Sequence, residues 1–97
     1  MTTRPTLRHV VFFSARDKAD IPRIVTGLKM LAAIPHSRNF EVRRNSQSDA
    51  LSSEVDVIVY AEFDSADALA AYKAHPLYAA SIKAVRPLRE MRIAADF

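Results

Sequence analysis

The sequence predicts an α+β sandwich with the element order β-α-β-β-α-β, and three observations carry that prediction. Stretches rich in β-branched and aromatic residues lie at residues 7–14, 40–44, 55–63 and 88–97, separated by segments with helical spacing. Ile34-Pro35 and His75-Pro76 each close a helical run, because proline drives the residue before it out of the α region. The first strand is largely apolar on both faces, so one face packs on the chain's own helices and the other needs a second cover, and in the third strand the Tyr60 and Glu62 face is the more polar, which suits an interface better than a core. This order implies a four-stranded antiparallel sheet with both helices on one face, a ferredoxin-like arrangement.

Each element has its own local reason. In the first strand His9, Val11 and Phe13 alternate with Arg8, Val10 and Phe12. Asp20 is placed to cap a helix with Pro22 in its first turn, where a missing N–H costs nothing. Ile21, Ile24, Val25, Leu28, Leu31 and Ala32 then recur at three and four, an apolar stripe. Gly27, the sole glycine, lies inside that helix at a cost of about 1 kcal/mol against alanine, which close packing would explain. Phe40 and Val42 begin a more polar strand, and residues 45–53 are rich in serine and aspartate, a loop. In the third strand Val57, Val59, Ala61 and Phe63 alternate with Ile58, Tyr60 and Glu62. Asp64-Ser65 caps the next helix, Asp67 favours its first turn, and His75 marks its end, where an imidazole can donate to an unpaired carbonyl. Tyr78, Ile82 and Val85 keep a helical spacing after Pro76, Arg86-Pro87 breaks it, and a last strand follows.

Ninety-seven residues make one domain, 1–97, and a chain this short buries only roughly 60–65% of the surface its unfolded form exposes, so it gains from a partner. The open sheet face, with Val10, Phe12, Ile58 and Tyr60, is the predicted interface of a homodimer. No apolar run approaches the ~20 residues of a membrane span and no signal-peptide pattern is present, so the expected location is the cytoplasm with no membrane partner. The absence of cysteine excludes disulfides, thiolate nucleophiles and Cys-ligated metal. A charge of +3 and a pI near 9.6 raise the question of nucleic acid. Yet only Arg43-Arg44 are adjacent among scattered arginines, which reads as a solvated surface without a nucleic-acid partner.

The chemistry of the chain rests on histidine and tyrosine. His36 follows Pro35 in a turn and reads as a surface residue. His9 lies on the helix-facing side of a buried strand, and His75 one helix beyond the neighbouring strand, so both can border the cleft between sheet and helices. Its walls are expected to be Val11, Phe13, Leu28, Val59, Ala61, Leu69 and Tyr72, an apolar pocket with a few polar groups, the usual form of a small-molecule site. An imidazole with a pKa of ~6.5 can act as general acid or base near neutrality, and Tyr72 and Tyr78 add phenolic donors. Such a site suits proton abstraction beside a carbonyl of an aromatic or polyketide-like compound. No histidine or carboxylate spacing suggests a metal, one glycine rules out a glycine-rich phosphate loop, and no serine forms a nucleophile elbow, so neither metal nor cofactor is expected.

Two motifs carry a family resemblance. The opening Leu7-Arg8-His9-Val10-Val11-Phe12-Phe13 and the run Phe63-Asp64 followed by Ala68-Leu69 and Tyr72 to His75-Pro76 resemble the stress-responsive A/B barrel (Dabb) family. The resemblance spans nearly the whole chain and implies a homodimeric α+β barrel whose sheets pack face to face. Family members of the olivetolic acid cyclase type pair the strand-one histidine with the second histidine of His-Pro-x-His. His9 matches the first of these, but the motif here reads His75-Pro76-Leu77-Tyr78, with tyrosine in the second place. A phenol with a pKa of ~10 is a poor base at pH 7, so Tyr78 is expected to donate a hydrogen bond instead. The leading expectation is a homodimer whose apolar pocket binds a small aromatic or polyketide-like molecule. The alternative is a polyketide cyclase, isomerase or cofactor-independent oxygenase using His9 and His75 as acid and base.

Overall fold

A computed structural model describes residues 7–97. The strands β1 (Leu7–Ala15), β2 (Arg38–Arg44), β3 (Val57–Phe63) and β4 (Arg89–Asp96) form one sheet in the order β2-β3-β1-β4. Every neighbouring pair is antiparallel, with Val11 opposite Val59 and His9 opposite both Ala61 and Asp96. Helices α1 (Ile21–Lys29), α2 (Ala66–Ala74) and α3 (Pro76–Val85) complete the expected order, the second helical segment being split at His75-Pro76. The sheet residues on the helix side, Val11, Phe13, Val57, Val59, Ala61 and Phe63, are buried together with Ile24, Leu28 and Leu31.

The helix termini follow local chemistry, with one difference from the sequence expectation. Asp20 occupies the position before α1 but makes no side-chain cap; its carboxylate accepts from Arg23 at 3.1 Å. The chain is already wound as a 3-10 turn over Lys18–Asp20, so Asp20 has α-like rather than extended angles, and Asp17 caps that turn instead. At its other end α1 tightens into a second 3-10 turn, Met30–Ala33, which buries Leu31 and leaves Ala32 in solvent. Ser65 is extended and accepts from the Ala68 N–H at 3.1 Å, the cap expected for α2.

Gly27 is where α1 crosses α3. A Cβ added there would lie 2.8 Å from Val85 Cγ2, and the Gly27 carbonyl accepts from the buried Ser81 hydroxyl at 2.9 Å. The missing side chain lets the helices approach closely enough for that bond, which offsets glycine's cost within a helix.

Among the described residues nothing covers the opposite sheet face. Val10, Phe12, Ile58 and Tyr60 are half-buried, and Ile93, which pairs with Phe12, is 55% exposed. Phe97 exchanges both backbone hydrogen bonds with Arg8, prolonging the β1–β4 ladder, and its 64% exposed ring lies under the Arg8 guanidinium at 5.2 Å.

Candidate functional site

A cavity of about 330 Å³ opens between the sheet and the helices. Val11, Phe13 and Val59 form its sheet side, and Leu28 and Leu31 come from the α1 segment. Tyr72, Tyr78, Ser81, Ile82 and Val85 close it from α2 and α3. Exposed Lys73, Arg86 and Arg92 and half-buried Arg89 form its rim. The size lies at the lower end of the ~300–1,000 Å³ common for small-molecule sites.

His9 lies at the inner end, 1% exposed, with its Nδ1 2.5 Å from Asp96 Oδ1. The pair exists because β4 lies beside β1 in a register that sets Asp96 opposite His9 on the same face. A carboxylate on Nδ1 holds the ring in one orientation and selects the tautomer with Nε2 as acceptor. No group among the described residues bonds Nε2. The ring is further held edge-on between Phe63 and Tyr72, at centroid distances of 6.2 and 6.4 Å.

Tyr72 is 1% exposed, yet its hydroxyl meets no hydrogen-bond partner among the described residues and lines the cavity. Burial, and next the adjacent Tyr78, push its phenol far above the usual tyrosine range, against a smaller opposing pull from Arg92. It is a neutral donor over the whole physiological range. Tyr78 packs against it at 5.4 Å and accepts from Arg92 Nη2 at 3.3 Å. Its hydroxyl is therefore tied to the rim.

The rim arginines come mainly from β4, and a bulge decides which of them face the cavity. Phe13 pairs with Arg92 and Ser14 with Met91, but Ala15 pairs with Arg89, so one residue is skipped. Simple alternation groups Arg89 with Met91 on the open face. The bulge turns it to the helix side, where it joins Arg86 and Arg92. Burial, followed by the positive charges of Arg92, Arg86 and Arg16, lowers the Arg89 guanidinium from its usual value.

Of the residues named from the sequence, His9, Val11, Phe13, Leu28, Val59, Tyr72 and Tyr78 line the cavity. Ala61 and Leu69 do not: both are core residues, Ala61 opposite His9 in the sheet and Leu69 one turn ahead of Lys73 on α2. His75 is also outside the lining. Its backbone is extended, as the following proline requires, and its Nδ1 accepts from the Leu77 N–H at 3.1 Å. It thus caps the start of α3 rather than the end of α2, because Pro76 at the first helical position leaves Leu77 as the nearest free donor. Sequence reasoning missed Asp96, Ser81 and the rim cations. The signal for Asp96 and Arg92 was present in β4, two charges four apart on one face, but it has meaning only once the β1–β4 register is known. Among the described residues no group of three or more His, Asp or Glu side chains gathers as a metal site.

A four-stranded antiparallel sheet with its helices on one face, a cleft between the layers and an apolar outer face defines a ferredoxin-like α+β protein. The chain belongs to the family described as the stress responsive A/B barrel domain, whose model matches residues 7–97. Among solved structures it is similar to a dimeric ferredoxin-like protein of unknown function from Thermobifida fusca, 28% identical, with a TM-score of 0.79 over 94% of this chain and 88% of that one. A dimeric protein of unknown function with a ferredoxin-like fold from Bacteroides fragilis is 25% identical, with a TM-score of 0.75 over 94% and 93%. A Dabb family protein from Mesorhizobium loti shares the fold at 23% identity, with a TM-score of 0.79 over 97% and 96%. No curated protein matches the chain.

Proposed function

We propose that the protein is a cytoplasmic, single-domain homodimer whose cleft binds a small, largely apolar molecule of aromatic or polyketide-like character. The observation that carries the reading is the cavity with His9 at its inner end and an unpaired Tyr72 hydroxyl on its wall. No buried side-chain polar atom lacks a partner among the described residues, so the unpartnered hydroxyl is one that reaches the cavity, where it can donate to an oxygen of a ligand. The uncovered face with Val10, Phe12, Ile58 and Tyr60 supports pairing of two sheets, as do the dimeric Thermobifida and Bacteroides relatives.

Thermal unfolding against phenols, β-keto acids and short polyketide analogues tests this, at fixed protein concentration because a dimer's midpoint depends on it. A ligand at about 100 times its dissociation constant adds roughly 2.7 kcal/mol, a rise of several degrees for a domain this size. No shift across the panel sinks the binding reading.

One observation favours a second reading, in which the cleft is catalytic. Asp96 orients His9 and leaves Nε2 able to take a proton from a carbon beside a substrate carbonyl, while Tyr72 and Tyr78 donate to the developing oxyanion. This is the cyclase, isomerase or cofactor-independent oxygenase alternative. His9 carries the base role in it, and His75 contributes by fixing where α3, and with it Tyr78, begins. His9→Ala or Asp96→Ala would abolish turnover of a bound analogue without releasing it; unchanged turnover would remove His9 from the chemistry.

A further inference from the structure

We propose that the cavity takes a small amphipathic acid: an apolar ring or chain that enters the cleft, carrying one anionic head group, carboxylate or phosphate, held by the arginine rim. The proposal rests on the reading of the cavity as a binding site and adds the charge of its occupant. Its basis is an imbalance. Lys73, Arg86, Arg89 and Arg92 all border the opening, and none forms a salt bridge with a carboxylate among the described residues. Elsewhere Lys18, Arg23, Arg38 and Arg43 have acidic partners, while Arg8, Arg16, Lys29, Arg44 and Lys83 form no salt bridge among the described residues but do not gather at the cavity opening as the four rim cations do. Asp96, on the same side of the sheet, is bonded to His9.

Arg89 makes the imbalance more than a solvated surface. It is half-buried beside Arg86 and Arg92 on the cavity lining, and the charges that act on it, those of Arg92, Arg86 and Arg16, are positive. Gathering like charges at a partly dry position is unfavourable unless an anion enters among them. The guanidinium plane matches a carboxylate or phosphate edge with two parallel N–H bonds, which gives direction as well as charge. A bare anion would leave the rest of the site unused, since Val11, Phe13, Leu28 and Val59 continue inward as an apolar surface. Between the two zones the Tyr72 hydroxyl, in a residue 1% exposed, stands unpaired as a donor to an oxygen on the ligand's body.

The test is calorimetric titration of the full chain with four probes: 1-naphthoate, 1-naphthyl phosphate, uncharged 1-naphthamide of the same shape, and inorganic phosphate. At least one naphthyl anion is expected to bind about tenfold or more tightly than the amide, the size of a charge-assisted hydrogen bond. The stronger of the two anions identifies the head group. That advantage should vanish in Arg89→Gln/Arg92→Gln and persist in Arg43→Gln, which lies on β2. Arg86→Gln, at an exposed position, should reduce it even if the double variant folds poorly. Equal binding of amide and acids would overturn the anionic head group while leaving the cavity reading intact. Absence of binding by every naphthyl probe would remove both. Inorganic phosphate binding as tightly as the naphthyl anions would reduce the rim to a simple anion patch and also overturn the proposal.

Discussion

The two faces of one strand have different fates. Along β1, His9, Val11 and Phe13 are at most 5% exposed, whereas their neighbours Val10 and Phe12 are only half-buried. Both sets come from one run of β-forming residues, so intrinsic strand preference does not separate them. The helix-covered face is complete within the chain: its aromatic groups pack edge to face, with Phe63 and Tyr72 centroids 5.0 Å apart, and its buried polar atoms have partners or reach the cavity. On the open face the polar groups satisfy one another, as Tyr60 and Asn39 donate to the Glu62 carboxylate at 2.5 and 2.6 Å, while the apolar ones have no cover among the described residues. The first face is therefore a property of the fold, and the second, on the proposed reading, awaits a partner.

That distinction breaks or holds under paired substitutions. Phe63, 0% exposed, should cost about 3–5 kcal/mol when truncated to alanine, with the same loss at every protein concentration relative to wild type. Chemical denaturation over a range of concentrations measures it. Phe12→Asp should leave secondary structure intact and yield a monomer by sedimentation, with a stability that no longer depends on concentration. A wild-type protein that sediments as a monomer, or a Phe12→Asp protein that stays a dimer, would erase the distinction between the faces.

The fold was readable because its signals are local or periodic. Pre-proline geometry at Ile34 and His75, the Ser65 cap and the alternation of residues 57–63 each depend on a few neighbours in the chain. The inner half of the site was readable for the same reason, since His9, Val11, Phe13 and Val59 occupy one phase of their strands. The rim was not. Asp96 meets His9 across 87 residues, and Arg89 faces inward only because a bulge interrupts the β1–β4 pairing at Ala15. Alternation cannot reveal register or bulges, so arginines that look scattered along the chain gather in space.

Asp56 shows the same limit and gives the next prediction. It is 7% exposed and accepts from the Ala15 N–H at 2.8 Å and from Lys18 Nζ at 2.6 Å, tying the end of β1 to the turn that leads into α1. Asp56→Ala strands a buried N–H and should cost about 1–3 kcal/mol, while Asp56→Asn, which keeps an acceptor, should cost less. Equal losses in the two variants would remove the Ala15 bond from the account. On the same covered face, Tyr72 gives a pH signature. Its folded pKa lies above the unfolded value, so at alkaline pH the unfolded chain releases the phenolic proton first and stability falls as pH rises past 10.0. Ultraviolet titration should show one tyrosine ionising only with unfolding, and Tyr72→Phe should remove that step and flatten the alkaline decline.

The smallest expected effect concerns the two histidines singled out from the sequence, which differ as the two faces do. His9 is defined by contacts across the sheet, His75 by its next two residues. A cap costs about 0.5–2 kcal/mol when replaced by alanine and almost nothing when replaced by another capping residue, since only the acceptor at that position matters. His75→Ala should therefore lower stability by about 1 kcal/mol, and His75→Ser should restore it. No short polar residue can do the same for His9, because a serine reaches neither Asp96 nor the edges of Phe63 and Tyr72. If His75→Ser keeps wild-type stability but weakens binding of a naphthyl probe, the imidazole contributes to the cleft beyond its cap. If stability and binding are both retained, His75 acts only on the backbone and the chemistry of the cleft rests on His9.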